Sequence, residues 1–386
     1  MSEWQECKFS DLLVDESISY GIVQPGQHTE INAVPVIRVN NIKNNKIETD
    51  DVLKVSSKIE EKYQRTRLEG GELLITVVGS IGECAIVPNH LKGWNVARAV
   101  SVARIKKNFD KRFIKYCFKL DDLKFQMYGN TNDTVQPTLN LSSLKNLVLN
   151  VPTLPAQQAI ANILSSLDDK IDLLHRQNKT LESMAETLFR QWFIEEASED
   201  WEETPLSQIA NFLNGLACQK HPPKNAIDKL PVLKIKELNS GISESSDWAT
   251  REIKPEYIIE NGDVIFAWSA SLMVKVWNGE KCILNQHLFK VTSTEYPKWF
   301  YLMWCKHHLD EFISISSSHA TTMGHIKRSD LDAAMVLVPS DDELTIMSEK
   351  MTPILNKQIG IAKQIKTLEK LRDNLLPKLM SGEVRV

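Results

Sequence analysis

Cysteine and histidine, the usual zinc ligands, come closest together at Cys305, His307 and His308. The residues around them predict a helix, and adjacent positions on a helix point in different directions. The six cysteines of the chain have no Cys-x-x-Cys spacing, so neither a zinc knuckle nor a disulfide framework is predicted. We therefore expect no metal site in this chain.

Sequence motifs for group transfer are also missing. The only Pro-Pro pair, in His221-Pro222-Pro223-Lys224, lacks the amide or acid and the aromatic residue of an amino-methyltransferase tetrad. The chain has no GxxxxGK[ST] phosphate loop, and no pair of carboxylates has a spacing that marks a nuclease metal site. We expect no catalytic residue, and an enzyme such as a nuclease is disfavoured.

Length and composition indicate a chain with more than one domain. The 386 residues are 42% hydrophobic and 25% charged, which is ordinary for a globular protein of two or three domains. No apolar run reaches the roughly 18 residues that span a bilayer, and the first residues do not resemble a signal peptide. We therefore expect a cytoplasmic location.

The net charge of −4 is unusual for a protein that binds nucleic acid alone through a broad basic surface. Charge can still be local, and partner subunits can contact phosphates. One basic run stands out, and on charge alone a solvated helix face is the favoured interpretation of it. The run comprises Arg104, Lys106, Lys107, Lys111, Arg112 and Lys115.

The sequence contains a long, decayed internal repeat. Four segments of the first half match segments of the second half in the same order. They are 35–39 with 231–235, 71–75 with 262–266, 144–148 plus Pro152 with 331–336 plus Pro339, and 180–182 with 367–369. Each half thus consists of a mixed region of about 150 residues and a helix of about 40.

Short apolar runs with β-branched residues, punctuated by Gly, Pro and Asn, predict a sheet of short strands in each mixed region. The segments KRFIKYCFKL and KWFYLMWCKHHLDEF fit helices packed on those sheets. The predicted fold is α+β, with two tandem α/β domains at 1–153 and 196–340. Long helices at 154–195 and 341–386 separate them and pack as an antiparallel coiled coil, which gives a pseudo-two-fold internal repeat.

Both long helices carry apolar residues at alternating spacings of three and four, the pattern of a coiled-coil seam. Polar residues at Asn178, Gln358 and Arg372 interrupt the seams. The predicted interface comprises Leu164, Leu167, Ile171, Leu174, Asn178, Leu181, Leu188 and Trp192 in the first helix. In the second it comprises Ile354, Ile361, Ile365, Leu368, Leu375 and Leu379.

Two partners are possible for such seams. An Asn at an a position is a device of parallel dimers, so the chain could homodimerise. Two matched seams in one chain can also pair with each other, and effective concentration favours the tethered partner. A helix of about 38 residues is about 57 Å long. Such a strut could hold two similar domains at a separation comparable with one to one and a half turns of DNA, about 34 Å each.

The sequence resembles the specificity subunits of type I restriction–modification systems. Residues 154–193, LPAQQAIANILSSLDDKIDLLHRQNKTLESMAETLFRQWF, look like the central conserved region of that family. The closing segment KQIKTLEKLRDNLLPKLMSGEVRV looks like its distal conserved region. GGELLITVVGSIGECAIV and NGDVIFAWSAS are similar to blocks inside its recognition domains. The resemblance covers essentially the whole chain.

The resemblance implies a non-catalytic subunit in which each mixed domain is a target-recognition domain for one half of a bipartite DNA site. The helices would set the spacer and dock two DNA methyltransferase subunits, and motor–endonuclease subunits would complete the enzyme. This chain would hold no cofactor. S-adenosylmethionine for adenine-N6 methylation, and ATP with magnesium, would be bound by the partners.

Recognition of bases needs Arg or Lys for guanine and Asn or Gln for adenine, whereas phosphates accept hydrogen bonds from many groups. Ordinary surface polarity is the alternative for every candidate. In the first domain the candidates are Arg38, Asn40, Asn41, Lys43, Arg65, Arg67, Ser80, Arg98, Asn130, Thr131, Asn132 and Gln136. In the second they are Lys234, Lys236, Trp268, Ser269, Ser271, Gln286, His287, Ser317, His319, Thr321, Thr322 and His325.

A second hypothesis belongs to a different functional class. The chain could be a coiled-coil scaffold or adaptor whose α/β domains bind proteins, with no DNA readout. The negative net charge favours this scaffold, whereas the tandem domains and the resembling segments favour DNA recognition.

Overall fold

A computed structural model describes residues 4–43, 45–130, 137–318 and 324–386. The chain divides into two compact units. Unit 1 comprises Met1–Asp169 and Lys370–Val386, and unit 2 comprises Lys170–Glu369. Each long helix therefore contributes residues to both units. The four-part domain division stays a prediction.

Unit 1 is built from short strands and short helices. The strands are β1 (Gln5–Lys8), β2 (Leu13–Tyr20), β3 (Ala33–Ile37), β4 (Ile42–Lys43), β5 (Lys46–Ile47), β6 (Leu53–Ser56), β7 (Leu73–Thr76), β8 (Cys84–Ile86), β9 (Asn95–Val96), β10 (Val100–Ile105) and β11 (Val148–Val151). The short helices are α1 (Ser57–Glu60), α2 (Lys111–Cys117), α3 (Asp121–Gly129) and α4 (Leu141–Lys145). The long helix α5 (Leu154–Arg190) begins in this unit.

The main sheet of unit 1 has the strand order β2-β10-β7-β8, with antiparallel neighbours. All four residues of β7 are buried, as expected for a central strand covered on both faces. Phe113 and Ile114 of α2 are also fully buried and join the core beside this sheet. A smaller sheet, β6-β3-β9, places β3 parallel to β9, and β1 pairs with β11.

Unit 2 repeats this construction. Its strands are β12 (Glu202–Pro205), β13 (Asn211–Asn214), β14 (Leu230–Leu233), β15 (Trp248–Ala249), β16 (Ile258–Ile259), β17 (Val264–Ala267), β18 (Met273–Val276), β19 (Cys282–Leu284), β20 (Leu288–Thr292) and β21 (Met335–Val338). Its helices are α6 (Leu206–Ile209), α7 (Ile235–Ser240), α8 (Lys298–His307), α9 (Leu309–Ser318), α10 (Arg328–Ala333) and the long α11 (Asp341–Met380).

The strand orders confirm the predicted duplication. The order β13-β20-β17-β18 matches that of the main sheet of unit 1 strand for strand, and β12-β21 matches β1-β11. The parallel pair β14–β19 matches β3–β9. Isolated β-bridges recur as well: Ile22 forms a parallel bridge with Ala97 in unit 1, and Leu216 forms one with Asn285 in unit 2.

The long helices pack against each other in antiparallel fashion within each unit, as predicted. In unit 1, Leu164 near the start of α5 shares a core with Leu376 and Leu379 near the end of α11. Unit 2 contains a separate cluster of Ile171 and Leu174 with Ile361 and Ile365, which Leu181 and Leu368 flank.

The buried face of the helices departs from a strict heptad. Phe189 and Phe193 are buried, whereas the predicted Leu188 and Trp192 are half-buried. Likewise Leu355 and Leu376 lie deeper than the predicted Ile354 and Leu375, which pack at the edge of the same cores. Leu167 and Asn178 are half-buried. A straight helix with 3.6 residues per turn drifts about 20° per heptad, so the buried stripe moves by one residue.

Among the described residues, no helix is both long enough and apolar enough to cross a bilayer.

Candidate nucleic-acid interface

Three loops of unit 1 form the walls of one open cleft. The first follows β3, the second follows β7, and the third lies between β9 and β10. The lining includes Arg38, Asn40, Lys43 and Ser80, four of the residues that the sequence singled out. Arg98 is exposed and stands between Ala97 and Ala99, which also line the cleft. Candidates separated widely in the sequence are thus brought together.

The first loop is shaped by Asn41, which is buried. Its side-chain oxygen accepts a hydrogen bond from the Arg38 backbone N–H at 2.9 Å, and its amide donates to the Asp51 carbonyl at 2.8 Å. Both ends of the Asn41 amide are therefore occupied inside the loop, and Asn41 is not available to a ligand. Asn40 and Lys43 of the same loop are exposed. The Arg38 guanidinium lies 3.3 Å from the exposed Asp51 carboxylate.

The second loop is a tight turn after β7. The Thr76 hydroxyl contacts the Ser80 carbonyl and accepts from the Glu83 backbone N–H at 3.0 Å. Gly79 adopts a φ of 75°, a conformation that glycine takes without strain, and donates to the Pro137 carbonyl at 3.2 Å. These bonds fix the turn and leave the Ser80 side chain at the surface.

The remaining described candidates of unit 1 lie outside the lining of this cleft. Arg67 pairs with Glu60, which is buried, and this hydrogen bond together with one from Asn95 keeps the pKa of the Glu60 carboxyl below its usual value. Arg65 is exposed, and its carbonyl accepts from Arg104 at 3.0 Å. The Asn130 amide donates to the Gln126 carbonyl at 2.7 Å. Arg67 therefore has a clear structural role.

In unit 2 the equivalent loops hold a cluster of aromatic and polar side chains. Trp268 stacks on Phe289 with ring centroids 5.6 Å apart and donates its indole N–H to Asn214 at 3.1 Å. His325 meets the edge of Trp268 at 6.3 Å. The cluster is fixed by side-chain contacts and by an antiparallel bridge between Ser269 and His325.

The same cluster includes Gln286 and His287. The Ser269 hydroxyl lies 3.1 Å from Nδ1 of His287, and the Gln286 amide nitrogen lies 3.3 Å from Nε2 of that ring. Ser269 itself is buried, whereas Ser271 is exposed. Five predicted residues, Trp268, Ser269, Gln286, His287 and His325, thus form one contiguous site.

The two sites occupy corresponding loops. The bridge between Val78 and Thr138 in unit 1 corresponds to the bridge between Ser269 and His325 in unit 2. Because Ala97 corresponds to Asn285, Arg98 corresponds to Gln286. One fold therefore presents a guanidinium at this position in unit 1 and an amide in unit 2.

Other candidates of unit 2 have local partners. Lys234 pairs with Asp247, Lys236 donates to the Ser245 hydroxyl at 2.8 Å, and the Ser317 hydroxyl donates to the Ile313 carbonyl at 2.7 Å. Six predicted residues lie outside the described part of the chain: Thr131, Asn132, Gln136, His319, Thr321 and Thr322.

Sequence reasoning missed the partners that hold these side chains. Asp51 and Asp247 each follow their paired cation by thirteen residues, and Asn214 positions Trp268. The repeated spacing of cation and aspartate in both halves was visible in the sequence. The Asn214 contact was not, because it joins residues 54 positions apart.

The cysteine and histidine side chains near the end of α8 lie in different surroundings. Burial raises the pKa of the Cys305 thiol, and His308 lies within hydrogen-bond distance of Glu311 and the Met335 carbonyl. Within the ranges that the structure describes, no three or more His, Cys, Asp or Glu side chains stand close enough to hold a metal ion.

Both units of this duplicated α+β fold thus carry guanidinium, amide, hydroxyl or aromatic groups on corresponding loops, and such groups are chemically suited to contact nucleic acid. The sequence profile described as the type I restriction modification DNA specificity domain matches residues 1–183 and 198–370. The chain belongs to this family.

Named relatives agree with this assignment. The chain is 27% identical over 343 residues to the type I restriction enzyme MjaIX specificity subunit of Methanocaldococcus jannaschii, covering 82% of this chain and 78% of the relative. The HindI specificity subunit of Haemophilus influenzae is 19% identical over the full length of both chains. The crystal structure of a type I restriction–modification S subunit from M. genitalium has the same fold, with a TM-score of 0.61, 14% identity, and 98% and 96% coverage.

The family confirms the prediction of a DNA specificity subunit of a type I restriction–modification system, a non-catalytic role. Such subunits bind DNA and assemble with other subunits of the enzyme. The scaffold hypothesis, which has no DNA readout, does not account for this membership.

Proposed function

We propose that each unit recognises one half of a bipartite DNA target through the loops described above. The observation that carries the proposal is the recurrence of the same loops with different side chains. Arg38, Asn40 and Arg98 project from the loops of unit 1, while Trp268 and Gln286 occupy those of unit 2. A duplicated scaffold with two different polar surfaces suits two different short sequences.

The chemistry of the two surfaces suits different bases. An arginine can donate two hydrogen bonds to guanine O6 and N7, and Asn or Gln can bond adenine N6 and N7. We propose Arg38 and Arg98 as guanine or phosphate contacts and Gln286 as an adenine contact. The candidates beyond the described residues, together with Lys43, Ser80, Ser271 and His287, remain part of the proposed interface.

Mapping modified bases across the genome tests this division. The full chain is expressed with its neighbouring methyltransferase subunit, and a split motif with a fixed gap is expected. Arg98→Ala should relax one half of the motif and Gln286→Ala the other, each by about 1–3 kcal/mol of discrimination at one base pair. Arg251→Ala, which removes an exposed charge outside both sets of loops, serves as the control.

Three outcomes are informative. Relaxation of separate halves supports the proposal. Relaxation of the same half by both variants would contradict the assignment of one half-site to each unit. A complex that is assembled and active but yields no motif would overturn sequence recognition by this chain.

We also propose that the long helices set the gap between half-sites and dock two methyltransferase subunits. Those subunits would supply S-adenosylmethionine, and motor–endonuclease subunits would use ATP with magnesium. We propose a cytoplasmic location, because a subunit that acts on DNA together with these partners must share their compartment.

Two apolar side chains of α5, Leu173 and Met184, are 40% and 49% exposed and lie three helical turns apart, on the same face.

This apolar pair is a surface for a partner subunit to cover. Leu173→Glu with Met184→Glu should abolish copurification of the methyltransferase while leaving the melting temperature within a few degrees. Ser183→Glu adds one negative charge at another exposed position of α5 and should have no effect. Retention of the partner by the double variant would argue against docking at this face.

A further inference from the structure

Unit 1 contains a second cavity, beside the DNA cleft, with a volume of about 520 Å³. One wall is the segment Ile81–Cys84, which continues directly from the Ser80 turn, and Glu83 borders both the cavity and the cleft. The opposite wall carries Lys115 and Lys119 from the end of α2 and the turn after it. The cavity therefore adjoins the proposed DNA surface.

The two lysines converge on one aromatic ring. The Lys115 ammonium lies 4.8 Å and the Lys119 ammonium 5.7 Å from the centroid of the Tyr116 ring. Within residues 4–43, 45–130, 137–318 and 324–386, neither ammonium has a hydrogen bond or an ion pair. Cation–π contacts offset only part of the cost of removing an ammonium from water.

Three of the nearby acids already have partners. Asp168 accepts a hydrogen bond from the Tyr116 hydroxyl at 2.7 Å and from Arg372 at 3.0 Å. Asp373 accepts from Arg372 at 2.9 Å, and Asp121 pairs with Lys124 at 3.2 Å. Glu83 is exposed. Neither of the two ammonium groups forms an ion pair with any of these four acids.

Burial lowers the pKa of both Lys115 and Lys119, and the Asp168 carboxylate opposes this shift only in part. A lowered lysine pKa means that the environment disfavours the charged form. An anion bound in the cavity would reverse that preference.

The equivalent positions of unit 2 carry different residues or have different partners. Lys111 and Lys298 occupy equivalent places, since each donates to the carbonyl of the matched glycine, Gly71 or Gly262. The same spacing relates Lys119 to Lys306, which pairs with Glu182 at 2.6 Å.

The position of Lys115 is occupied in unit 2 by Leu302, which is buried. Unit 2 thus holds one lysine with an internal acid, whereas unit 1 holds two without one. The extra positive charge of unit 1 is available to an external anion.

We propose that Lys115 and Lys119 bind a backbone phosphate of the DNA that unit 1 recognises. The inference rests on the proposed function of the cleft, because the cavity adjoins it through the Ile81–Cys84 segment. Phosphate is the anion that DNA presents at regular intervals beside every recognised base. Such a contact strengthens binding to all sequences and specifies none.

The test is a salt titration of DNA binding. The full chain, in the complex with which it copurifies, is bound to a 30-base-pair duplex that carries the methylation motif. For Lys115→Gln with Lys119→Gln, the slope of log affinity against log salt should shrink by about 0.9, the value for one lost phosphate contact. The methylated motif should be unchanged. Lys115→Arg with Lys119→Arg should keep the slope of the wild type.

Lys306→Gln is the matched control, because its ammonium already has the Glu182 partner, and it should leave the slope unchanged. Melting temperatures of all variants verify that they are folded. An unchanged slope in the Gln variant, with the motif intact, would overturn this inference while leaving the proposed function standing. Loss of one half of the motif would also overturn it, because a phosphate contact carries no base specificity.

A second arm distinguishes the source of the anion. Inorganic phosphate replaces chloride at constant ionic strength, and the melting temperature is measured without DNA. Stabilisation of the wild type but not of the Gln variant, together with a normal DNA slope in that variant, would identify a free-phosphate site and exclude a DNA contact. A reduced slope, with or without stabilisation by free phosphate, supports the DNA phosphate.

Discussion

Units 1 and 2 share strand order and loops but differ where the sheet domain meets the long helices. In unit 1, Tyr116, Asp168 and Arg372 form a hydrogen-bonded chain. The repeat spacing that relates Lys111 to Lys298 places Met303, Leu355 and Ala185 at these three positions in unit 2. All three are buried in its apolar core. The same junction is thus built once from polar and once from apolar groups.

This difference separates what the fold requires from what it tolerates. Buried ion pairs and apolar residues of similar volume can stabilise a fold comparably, since the desolvation of charges offsets much of their attraction. The junction requires filled volume, and either set of side chains provides it. What both units keep unchanged is backbone geometry, and the largest effects of mutation are expected there.

Gly21 and Gly215 are the strongest test of shared geometry. A Cβ at Gly21 would overlap the carbonyl of Val96, and one at Gly215 would overlap the carbonyl of Asn285. Because backbone atoms cannot move aside cheaply, Gly21→Ala and Gly215→Ala should each lower the free energy of unfolding by about 3 kcal/mol or more. Denaturant unfolding measures the loss.

Gly360→Ala is the control for these substitutions. Gly360 lies within α11, and a Cβ there would meet no described atom within 4 Å apart from the neighbouring backbone of the helix itself. Alanine should stabilise the helix by up to about 1 kcal/mol. If Gly215→Ala were tolerated while Gly21→Ala was not, the two units would differ in how closely this glycine approaches the neighbouring backbone carbonyl.

Asp168 tests the polar junction of unit 1. Asp168→Leu introduces the residue of unit 2. It removes the acceptor of the Tyr116 hydroxyl and leaves Arg372 with only the exposed Asp373 carboxylate among the partners described above, so a loss of about 3 kcal/mol is expected. Adding Arg372→Ala, the second residue of unit 2, should recover part of that loss. A double-mutant cycle gives the interaction energy between the two residues, about 1–3 kcal/mol. Additive losses would show that the pair does not act as a unit.

The contribution of Asp168 to the free energy of unfolding should also depend on pH. Burial opposes its ionisation, but the Tyr116 hydroxyl, Lys119 and Arg372 together keep the Asp168 pKa below its usual value. Its stabilising contribution is therefore present above about pH 3.9, the unfolded pKa, and is lost as the pH falls through the folded pKa. The stability difference between wild type and Asp168→Leu should shrink over that range. A constant difference would contradict this assignment.

Arg65 and Arg67 sharpen the contrast between recognition and structure inside unit 1. Arg67→Ala leaves the buried Glu60 carboxylate without its cation and should cost about 2 kcal/mol of unfolding free energy. Arg65→Ala should leave stability unchanged, because its side chain is exposed. Thermal unfolding distinguishes the two. Equal effects of the two substitutions would mean that the contact between Arg67 and Glu60 does not contribute to the free energy of unfolding.

Much of this architecture follows from the sequence, for physical reasons. Short apolar runs predicted strands: residues 35–39 overlap β3, and the run ELLITVV contains β7. KRFIKYCFKL contains α2, and the long helix predicted at 154–195 begins, as α5, at Leu154. These patterns work because burial on one face imposes a period on the chain. The repeat spacing then predicted that the second half has the same topology.

Side-chain placement was predicted less well. Nothing in the pair Asn40-Asn41 shows that the second asparagine is buried, because that depends on the Asp51 carbonyl ten residues away. Arg65 and Arg67 look alike in sequence, yet only Arg67 pairs with Glu60. The strict heptad also selected Leu188, whereas Phe189 is the buried residue. Such choices depend on contacts that local periodicity does not encode.

The smallest expected effects on stability concern Arg38 and Lys234. Each pairs with an aspartate thirteen residues later, and both aspartates are well exposed. Exposed ion pairs contribute about 0–1 kcal/mol. The Arg38 Nε is also buried without a hydrogen-bond partner, so truncating Arg38 removes an unfavourable group along with the pair. Arg38→Ala and Lys234→Ala should each change the free energy of unfolding by less than about 0.5 kcal/mol.

Conservative exchanges then reveal whether the two units use these cations alike. A lysine cannot form the two parallel hydrogen bonds that an arginine donates to guanine. If Arg38 contacts a base, Arg38→Lys should relax one position of the motif at unchanged stability, whereas Lys234→Arg should leave the motif intact. If Arg38→Lys leaves the motif unchanged, Arg38 does not form a bidentate contact with guanine, and the base contacts of unit 1 must come from the other side chains around the cleft.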